Sequence, residues 1–213
     1  MKKIFLFLFS ISIFISCYKD NSASEVFLNE KFTLLEISKN SPNEATWVSR
    51  SKMKSRNGES MGDGVILNPL STKLVIFLDG GGACFNGLTC SQNPDSYSKE
   101  DFLNGIVSNK SLLINRSSDE NQFKDWNFVF VPYATGDIHS GTNSSGNVPN
   151  NGPKNQNMVG FNNFTIVLED LKGYFDSNET IAELVFMGSS AGGSGGLSNT
   201  FQLTDILAKN IPT

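Results

Sequence analysis

Five consecutive residues near the C-terminal end of the sequence, Gly188-Ser-Ser-Ala-Gly192, fit the pattern G-x-S-x-G with Ser190 at its centre. An apolar run leads into this pattern and a segment with helical spacing follows it, which is the context that a nucleophile elbow requires. The glycines permit a tight turn, and the N-terminus of the following helix would stabilise negative charge beside it. The pattern therefore predicts Ser190 as the nucleophile of an acyl-transfer reaction; the alternative is a glycine-rich turn without chemistry.

A glycine cluster at the end of an earlier apolar run, Asp79-Gly-Gly-Gly-Ala83, could turn backbone N–H groups toward the same site. In hydrolases with a nucleophile elbow, the oxyanion hole takes one N–H from such a loop and one from the residue after the nucleophile. The donors predicted here are Gly82 or Ala83, together with Ala191. A phosphate-binding loop is disfavoured because the sequence lacks the G-x-x-x-x-G-K-[ST] pattern, whereas a plain tight turn is the alternative.

The base and the acid that would activate Ser190 do not follow it in the sequence. In this class of hydrolase the triad occurs in the order Ser, Asp, His, because a serine hydroxyl needs a base that is in turn oriented by an acid. The single histidine, His139, precedes Ser190, and the one aspartate that follows, Asp205, falls in a predicted helix. We expect a surface position for Asp205. The sequence therefore predicts only the N-terminal part of such a fold. It also predicts that this chain is inactive by itself.

His139 and Asp137 belong to a segment rich in glycine and asparagine, residues 133–160, whose length is typical of functional or disordered loops. Three interpretations of His139 are open. It could contact substrate on the rim of the site together with Asp137, it could be a solvated loop histidine, or it could be a general base from a non-standard place in the chain. We expect the rim position for both residues.

Two cysteines, Cys84 and Cys90, follow the glycine cluster. Their spacing is wider than that of a C-x-x-C metal or redox motif, and a single histidine completes no zinc-binding set. In an oxidising compartment a small-loop disulfide is the simplest interpretation. It would fix the outer wall of the glycine loop. The sequence predicts no metal and no cofactor.

Alternating strands and helices are predicted to position these residues. Continuous apolar, β-branched runs are typical of strands buried on both faces of a parallel sheet, and apolar residues at three- to four-residue spacing indicate helices. The predicted strands are 32–37, 74–78, 127–131 and 183–187, the predicted helices are 101–107, 164–175 and 193–209, and residues 38–64 are expected to form loops or hairpins on the rim. The alternation predicts the α/β class, with a mostly parallel sheet and helices on both faces.

The first 17 residues differ from the rest of the chain. Lys2-Lys3 precedes an apolar run that is too short to span a bilayer but suits a signal peptide. The run ends in Phe14-Ile-Ser-Cys17, which resembles a bacterial lipobox, and lipid on Cys17 would anchor the protein to a membrane. Cleavage by an ordinary signal peptidase is the alternative, and both imply export. The predicted organisation is a lipoprotein-type signal peptide over 1–17, a tether over 18–30 and one domain over 31–213.

Composition narrows the possible partners. With 213 residues, of which 38% are hydrophobic and 18% charged, the chain fits one globular domain rather than a disordered segment. The formal net charge is -4 and lysine and arginine form no dense cluster. Nucleic acid is therefore not an expected partner.

Four stretches occur in a fixed order along the chain: Leu74-Val-Ile-Phe-Leu-Asp-Gly-Gly-Gly-Ala-Cys-Phe-Asn86, Val131-Pro-Tyr-Ala-Thr-Gly-Asp-Ile-His-Ser-Gly141, Phe161-Asn-Asn-Phe164 and Gly188-Ser-Ser-Ala-Gly-Gly193. Together they resemble successive motifs of the pectin acetylesterase (Notum-like) family. Four ordered motifs are far more specific than G-x-S-x-G alone. The resemblance implies an α/β-hydrolase fold and hydrolysis of carboxylic esters on O-acylated substrates, often acetylated polysaccharide.

By position, the resemblance also implies roles for single residues. Ser190 would be the nucleophile, the loop of Gly81, Gly82 and Ala83 the oxyanion hole, and Cys84 would pair with Cys90. The chain departs from the family at Ala134, where many relatives have cysteine, so a disulfide made there is absent.

The sequence as a whole therefore predicts an exported serine carboxylester hydrolase that removes acetyl groups from polysaccharide, or acts on a related O-acyl substrate. A non-catalytic lipoprotein that keeps the site as a carbohydrate pocket is the alternative. A lipase of another α/β-hydrolase family is disfavoured because the sequence lacks a long apolar lid segment.

Overall fold

The computed structural model describes residues 30–108, 112–177 and 180–211. The elements in chain order are α1 (Glu30–Asn40), β1 (Thr46–Lys54), β2 (Ser60–Ile66), β3 (Lys73–Leu78), α2 (Gly87–Ser91), α3 (Lys99–Asp101), a π-helical turn (Phe102–Val107), a 3-10 turn (Leu112–Ile114), β4 (Asn127–Val131), β5 (Asn143–Gly146), β6 (Gln156–Met158), α4 (Gly160–Ser177), β7 (Glu183–Gly188) and α5 (Ala191–Ile206). The predicted signal peptide and nearly all of the predicted tether lie outside the described residues. Among the helices that are described, none has the length and apolarity needed to cross a bilayer.

Five strands form the central sheet in the order β1-β2-β4-β3-β7. β3 pairs in parallel with β4 and with β7, whereas β2 pairs antiparallel with β4 and with β1. Four of these five strands therefore run in one direction and β2 runs in the other, which is the mostly parallel sheet that the sequence predicts. Parallel strands covered on both faces need continuous apolar sequence, and the buried side chains of β3 and β4 meet that need.

Alternate side chains of the central strands contribute to two separate cores. Leu74, Ile76 and Leu78 of β3 belong to the core that α1, α4 and α5 cover. Val75 lies in the second core, together with Phe102 of the π-helical turn and aromatic side chains of β4. Helical segments therefore lie on both faces, but long helices cover only the first.

Most of the predicted elements are confirmed in kind and approximate position. The predicted strands 74–78, 127–131 and 183–187 correspond to β3, β4 and β7. The predicted helices correspond to α3 with its π-helical turn, to α4 and to α5.

The predicted strand over residues 32–37 is wrong, because this segment lies within helix α1. Leu34 and Ser38 are both buried and lie four residues apart, so they share one helical face. Leu35 and Ile37 pack partly buried against the same core, and α1 contacts α4. In so short a segment, apolar residues at positions 34, 35 and 37 fit a strand as well as a helix.

Of the two alternatives predicted for residues 38–64, loops or hairpins on the rim, the structure has a hairpin: β1 and β2 pair antiparallel, and both belong to the central sheet rather than to a rim. Asp63 of β2 is fully buried and pairs with Arg50 of β1, which also pairs with Asp170 of α4. Buried charges are tolerated when they are paired. Part of the polar sequence of this hairpin therefore belongs to an internal ion cluster.

The long segment between β4 and α4 contains a second, two-stranded sheet formed by β5 and β6. Three of its asparagines, Asn150, Asn151 and Asn155, adopt positive φ. Asparagine tolerates this left-handed conformation better than most residues. The asparagine content of the segment is thus explained in part by its turns.

Candidate active site

Ser190 stands at the junction of β7 and α5, with backbone angles φ 47° and ψ -114°. Few non-glycine residues adopt positive φ, and strained residues of this kind cluster at functional sites. The residue is exposed. The N–H groups of Gly192 and Gly193 turn back to the carbonyl of Ser189 at 2.7 and 3.4 Å. The chain therefore makes a sharp strand-to-helix turn with an exposed serine hydroxyl at the start of α5.

Two glycines allow this turn to pack directly on the backbone of β3. A Cβ atom at Gly192 would lie 2.1 Å from the carbonyl oxygen of Leu78, and one at Gly188 would lie 2.4 Å from the carbonyl carbon of Gly192. Distances under 3.0 Å are essentially never seen for real Cβ atoms. A side chain at either position would therefore displace backbone, and its absence brings the end of β3 against the turn.

The glycine loop, residues 79–83, follows β3 and lies against Ser190. A Cβ atom at Gly80 would lie 2.5 Å from the carbonyl oxygen of Ser189 and 3.0 Å from the Cβ atom of Ser190. Gly82 has φ +85°, a conformation that L side chains rarely adopt. The structure thus brings the glycine loop and the serine turn into direct contact.

The backbone donors in this contact are available to a ligand. Among residues 30–108, 112–177 and 180–211, no hydrogen-bond acceptor is found for the N–H groups of Gly81, Gly82, Ala83 and Ala191. Ala191 is the first residue of α5, where N–H groups lack helical partners and the helix dipole is positive. An anion beside Ser190 would therefore meet N–H groups from both the loop and the helix.

A disulfide between Cys84 and Cys90 closes the segment that follows the glycine loop. The N–H of Cys84 donates to the carbonyl of Gly136 at 2.8 Å. The buried Arg56 donates to the carbonyls of Cys90 and Asn93, both at 3.0 Å. The segment beside the glycine loop is thus cross-linked covalently and held by hydrogen bonds to two other parts of the chain.

His139 is buried, with 2% of its surface exposed, which corrects both the rim and the solvated-loop interpretations. Its Nε2 lies 2.8 Å from the carbonyl oxygen of Asp79, and because a carbonyl only accepts, Nε2 carries the hydrogen. Burial lowers the pKa of His139, against the smaller opposing effects of this hydrogen bond and of Asp137. The ring is therefore neutral near pH 7. Its Nε2 is engaged by the glycine loop and not by Ser190.

Asp137, the other residue expected on the rim, holds the start of α4. Its carboxylate accepts hydrogen bonds from the Thr135 hydroxyl at 2.6 Å and from the Gly160 N–H at 2.7 Å. A carboxylate at a helix N-terminus satisfies an otherwise unpaired N–H. The contacts of Asp137 are therefore internal.

Tyr133 is a site residue that the sequence reasoning missed. Its hydroxyl donates to the carbonyl of Gly82 at 2.7 Å and accepts from the N–H of Ile138 at 2.9 Å. Burial raises the pKa of Tyr133 to about 12, so the hydroxyl is protonated. A signal was present, because Tyr133 follows β4 as the glycine loop follows β3, and neighbouring parallel strands end at the same edge of a sheet.

Asp79 and Tyr97 add partly buried ionisable groups near the glycine loop. Burial raises the pKa of Asp79, while a hydrogen bond from the Gly80 N–H opposes that shift. Burial also raises the pKa of Tyr97, and the nearby carboxylates of Asp79 and Asp101 raise it further. The raised pKa values mean that burial disfavours the ionised forms of Asp79 and Tyr97.

The remaining candidates lie apart from this arrangement. Asp205 is exposed on α5. Within the described ranges, no group of three histidine, cysteine, aspartate or glutamate side chains is arranged to hold a metal ion. Cys17 lies outside those ranges.

Comparisons with known proteins agree on one family. A family model described as Pectinacetylesterase matches residues 68–212. The palmitoleoyl-protein carboxylesterase NOTUM of Schmidtea mediterranea is 33% identical over 155 residues, which cover 66% of this chain and 26% of that protein. The human protein of the same name is 26% identical over 151 residues, covering 65% of this chain and 27% of that protein.

Solved structures show the same fold at lower identity. One crystal form of the Wnt deacylase Notum from Drosophila superposes with a TM-score of 0.57 at 20% identity, covering 78% of this chain and 49% of that one. A second crystal form gives a TM-score of 0.55 at 21% identity. The chain therefore spans about half of the Notum structure that it matches, and about a quarter of the full-length relatives.

Proposed function

The chain belongs to the pectinacetylesterase family, which is a family of carboxylesterases, and from this we propose that Ser190 is the nucleophile of an enzyme that removes acetyl groups from O-acetylated carbohydrate. The observation that carries the proposal is the contact between the turn at Ser190 and the glycine loop. One element offers an exposed hydroxyl at a strained residue, and the other offers unpaired N–H groups beside it.

The proposed reaction proceeds through an acetyl-enzyme. The Oγ atom of Ser190 attacks the carbonyl carbon of the acetyl ester while a base takes the hydroxyl proton. The N–H groups of Ala191 and of the glycine loop stabilise the oxyanion of the tetrahedral intermediate. The bond to the sugar oxygen then breaks, and that oxygen leaves as an alcohol with the proton from the base. Water attacks the acetyl-serine, acetic acid is released and the hydroxyl of Ser190 is restored.

The base and its acid are proposed to come from outside these 213 residues. The sequence contains one histidine, and its Nε2 is occupied by the carbonyl of Asp79. Asp205 is exposed on α5. In this proposal, residues 1–213 supply the nucleophile and the N–H groups that bind the oxyanion, and other polypeptide supplies the base.

The loops around the site support a sugar as the alcohol part of the substrate. Residues 80–94 and 140–153 contain no charged side chain and are rich in asparagine, serine and glycine. The two stretches touch where the N–H of Gly87 donates to the carbonyl of Asn150 at 3.1 Å. Neutral amides and hydroxyls are suited to hydrogen bonding with sugar hydroxyls, and without acidic groups they would not repel an acidic polysaccharide.

One experiment separates an esterase from a folded chain without this activity. In the complete gene product, Ser190→Ala should lower the rate of acetyl-ester hydrolysis by about 10³-fold or more, because the nucleophile is lost. Ser198→Ala, at another exposed serine of α5, is the matched control and should retain the parental rate. Acetate release from acetylated polysaccharide is the measurement. Equal rates in the parent and in Ser190→Ala would contradict the proposal.

A non-catalytic carbohydrate-binding protein is the second candidate, favoured by the internal role of the one histidine. It predicts that the complete gene product binds acetylated polysaccharide with unchanged affinity after Ser190→Ala, and that neither protein releases acetate. Acetate release that depends on Ser190 excludes this candidate.

Export with lipid anchoring through Cys17 is also part of the proposal, supported by the lipobox-like Phe14-Ile-Ser-Cys17 and by the disulfide. Cys17→Ser should move the protein from the detergent phase to the aqueous phase in a phase-partition assay, because the acyl chains would be absent. Unchanged partitioning would rule out the lipid anchor.

A further inference from the structure

Three consecutive glycines pose a physical problem at this site. Stabilisation of an oxyanion depends on donors that are already oriented before the reaction. Glycine has no side chain to pack and more backbone freedom than any other residue. The segment Gly80-Gly81-Gly82 therefore needs contacts from elsewhere if its N–H groups are to stay in place.

Two side chains supply such contacts by holding carbonyl oxygens at both ends of the three glycines. His139 Nε2 donates to the carbonyl of Asp79 at 2.8 Å, and the Tyr133 hydroxyl donates to the carbonyl of Gly82 at 2.7 Å. The C=O and N–H of one planar trans peptide unit point in opposite directions. Fixing the carbonyl of Gly82 therefore turns the N–H of Ala83 away from Tyr133.

The two side chains are also in contact with each other and with the loop between their anchors. Their ring centroids lie 4.9 Å apart. A Cβ atom at Gly81 would lie 2.6 Å from the Cδ1 atom of Tyr133, so the loop rests on the tyrosine ring. Tyr133 thus supports the middle of the loop by packing and its end by a hydrogen bond.

The backbone at Ile138 and His139 is fixed to helix α5, which begins at Ala191. Asn199 of α5 donates through Nδ2 to the carbonyl of His139 at 2.8 Å. A Cβ atom at Gly195 would lie 2.5 Å from the carbonyl oxygen of Ile138. The helix and the segment that carries Ile138 therefore approach each other without an intervening side chain. Ile138 and His139 have φ 59° and 54°, a strained pair that these contacts hold in place.

We propose that Tyr133 and His139 are positioning residues that orient the oxyanion-binding N–H groups of the glycine loop and set them in register with the N–H of Ala191. This proposal rests on the proposed function of Ser190. Neither side chain takes a proton in the reaction. Each acts through a carbonyl oxygen of the loop, and Asn199 links α5 to the backbone of His139.

The test uses the complete gene product and variants that remove one hydrogen bond each. Tyr133→Phe keeps the ring and removes the hydroxyl, and His139→Leu removes the donor to Asp79. His139→Gln retains an amide donor at a similar distance along the side chain. Tyr174→Phe is the matched control, because Tyr174 is equally buried in α4 and its hydroxyl bonds to Ser38, far along the chain from the loop.

Two readouts distinguish positioning from simple support of the fold. With an acetyl ester, Tyr133→Phe and His139→Leu should lower kcat by about 10- to 100-fold with KM nearly unchanged, less than the loss of an oxyanion donor itself. Binding of a boronate, whose tetrahedral form is anionic, should weaken in parallel. His139→Gln should recover part of the lost kcat, and Tyr174→Phe should retain the parental values.

Hydrogen–deuterium exchange of the peptide that contains residues 79–84 gives an independent measure. Exchange should be faster in Tyr133→Phe and His139→Leu than in the parent or in Tyr174→Phe, at equal global stability. Unchanged kcat and unchanged exchange would overturn the inference, as would losses that simply follow the folded fraction. If the parent shows no Ser190-dependent hydrolysis, the proposed function fails, and the exchange result alone decides whether the two residues fix the loop.

Discussion

The two edges of the central sheet are covered very differently. At the β1 edge, β2, β1 and α4 are joined by the fully buried cluster of Arg50, Asp63 and Asp170. At the other edge, β7 is only half-buried, and α5 exposes Leu197 and Phe201 with 79% and 83% of their surfaces accessible. Apolar exposure of this extent is unusual for large side chains that lie four residues apart on one helix.

The candidate nucleophile belongs to the less covered edge, because β7 and α5 together carry Ser190. Toward β3, the serine turn is fixed by backbone contacts that leave no room for a side chain. On the opposite side, the described residues provide no strand beside β7. The buried ion cluster and the candidate nucleophile therefore lie at different edges, and substitutions should reveal how much each edge contributes to stability.

The largest effect is expected at the β1 edge. Arg50→Met leaves the carboxylates of Asp63 and Asp170 buried without their cation, so the free energy of unfolding should fall by about 3–5 kcal/mol. Lys52→Met, at an exposed position of the same strand, is the matched control and should change it by less than about 0.5 kcal/mol. Denaturant unfolding measures both, and similar values for the two variants would show that the cluster does not hold this edge.

A smaller effect is expected where β7 and α5 meet β3. Gly192→Ala places a methyl group against the carbonyl of Leu78, so the turn must move and stability should fall by about 3 kcal/mol. Gly196→Ala is the control, since its Cβ atom would meet the Phe186 ring at an ordinary 3.8 Å. It should raise stability by about 0.5–1 kcal/mol through helix propensity. Equal tolerance of both alanines would contradict the close packing at Ser190.

The disulfide between Cys84 and Cys90 lies outside both edges, and we expect its contribution to the free energy of unfolding to be intermediate. Replacing Cys84 and Cys90 together by alanine opens a loop of six-residue separation, which should cost about 2 kcal/mol through the entropy of the unfolded chain. Thermal unfolding of the double variant against the oxidised parent measures this. Mass spectrometry of the unreduced protein should show the two cysteine peptides linked, and two free thiols would invalidate the comparison.

The smallest effect on stability is expected at the outer face of α5. In the 213-residue chain, replacing Leu197 and Phe201 together by serine should change the free energy of unfolding by less than about 0.5 kcal/mol. Self-association should fall, because exposed apolar surface drives it, and sedimentation velocity would detect the change. A loss above about 1.5 kcal/mol would mean that this face is covered, and the contrast between the edges would disappear.

The sequence predicted those elements whose pattern is set by burial along one segment. β3, β4 and β7 are continuous apolar runs, and α4 and α5 carry apolar residues at helical spacing. The sequence of each segment alone therefore predicts its secondary structure and its burial. The pattern of α1 does not distinguish a helix from a strand, because the spacing of Leu34, Leu35 and Ile37 fits both. For β1 and β2 the sequence left loops or hairpins open, because Asp63 is polar and its burial depends on Arg50 from another strand.

The candidate site divides in the same way. Ser190 and the glycine loop are candidates that short patterns indicate, because the roles proposed for them depend on local backbone geometry. The internal roles of His139 and Asp137 could not, since they depend on Asp79 and Gly160, which lie 60 and 23 positions away. The turn that buries His139 needs positive φ at a β-branched residue, Ile138, which no propensity would suggest.

The occupied histidine gives kinetic measurements a specific meaning. Histidine is the side chain whose ordinary pKa lies between about 5 and 8, and the one in this sequence has a pKa lowered by burial and a ring nitrogen engaged with Asp79. Residues 1–213 therefore offer no free imidazole to titrate near neutrality. An inflection near pH 7 in the pH–rate curve of the complete gene product would therefore have to come from a group other than this imidazole, and Asp79→Asn would show whether it comes from Asp79, whose pKa burial raises.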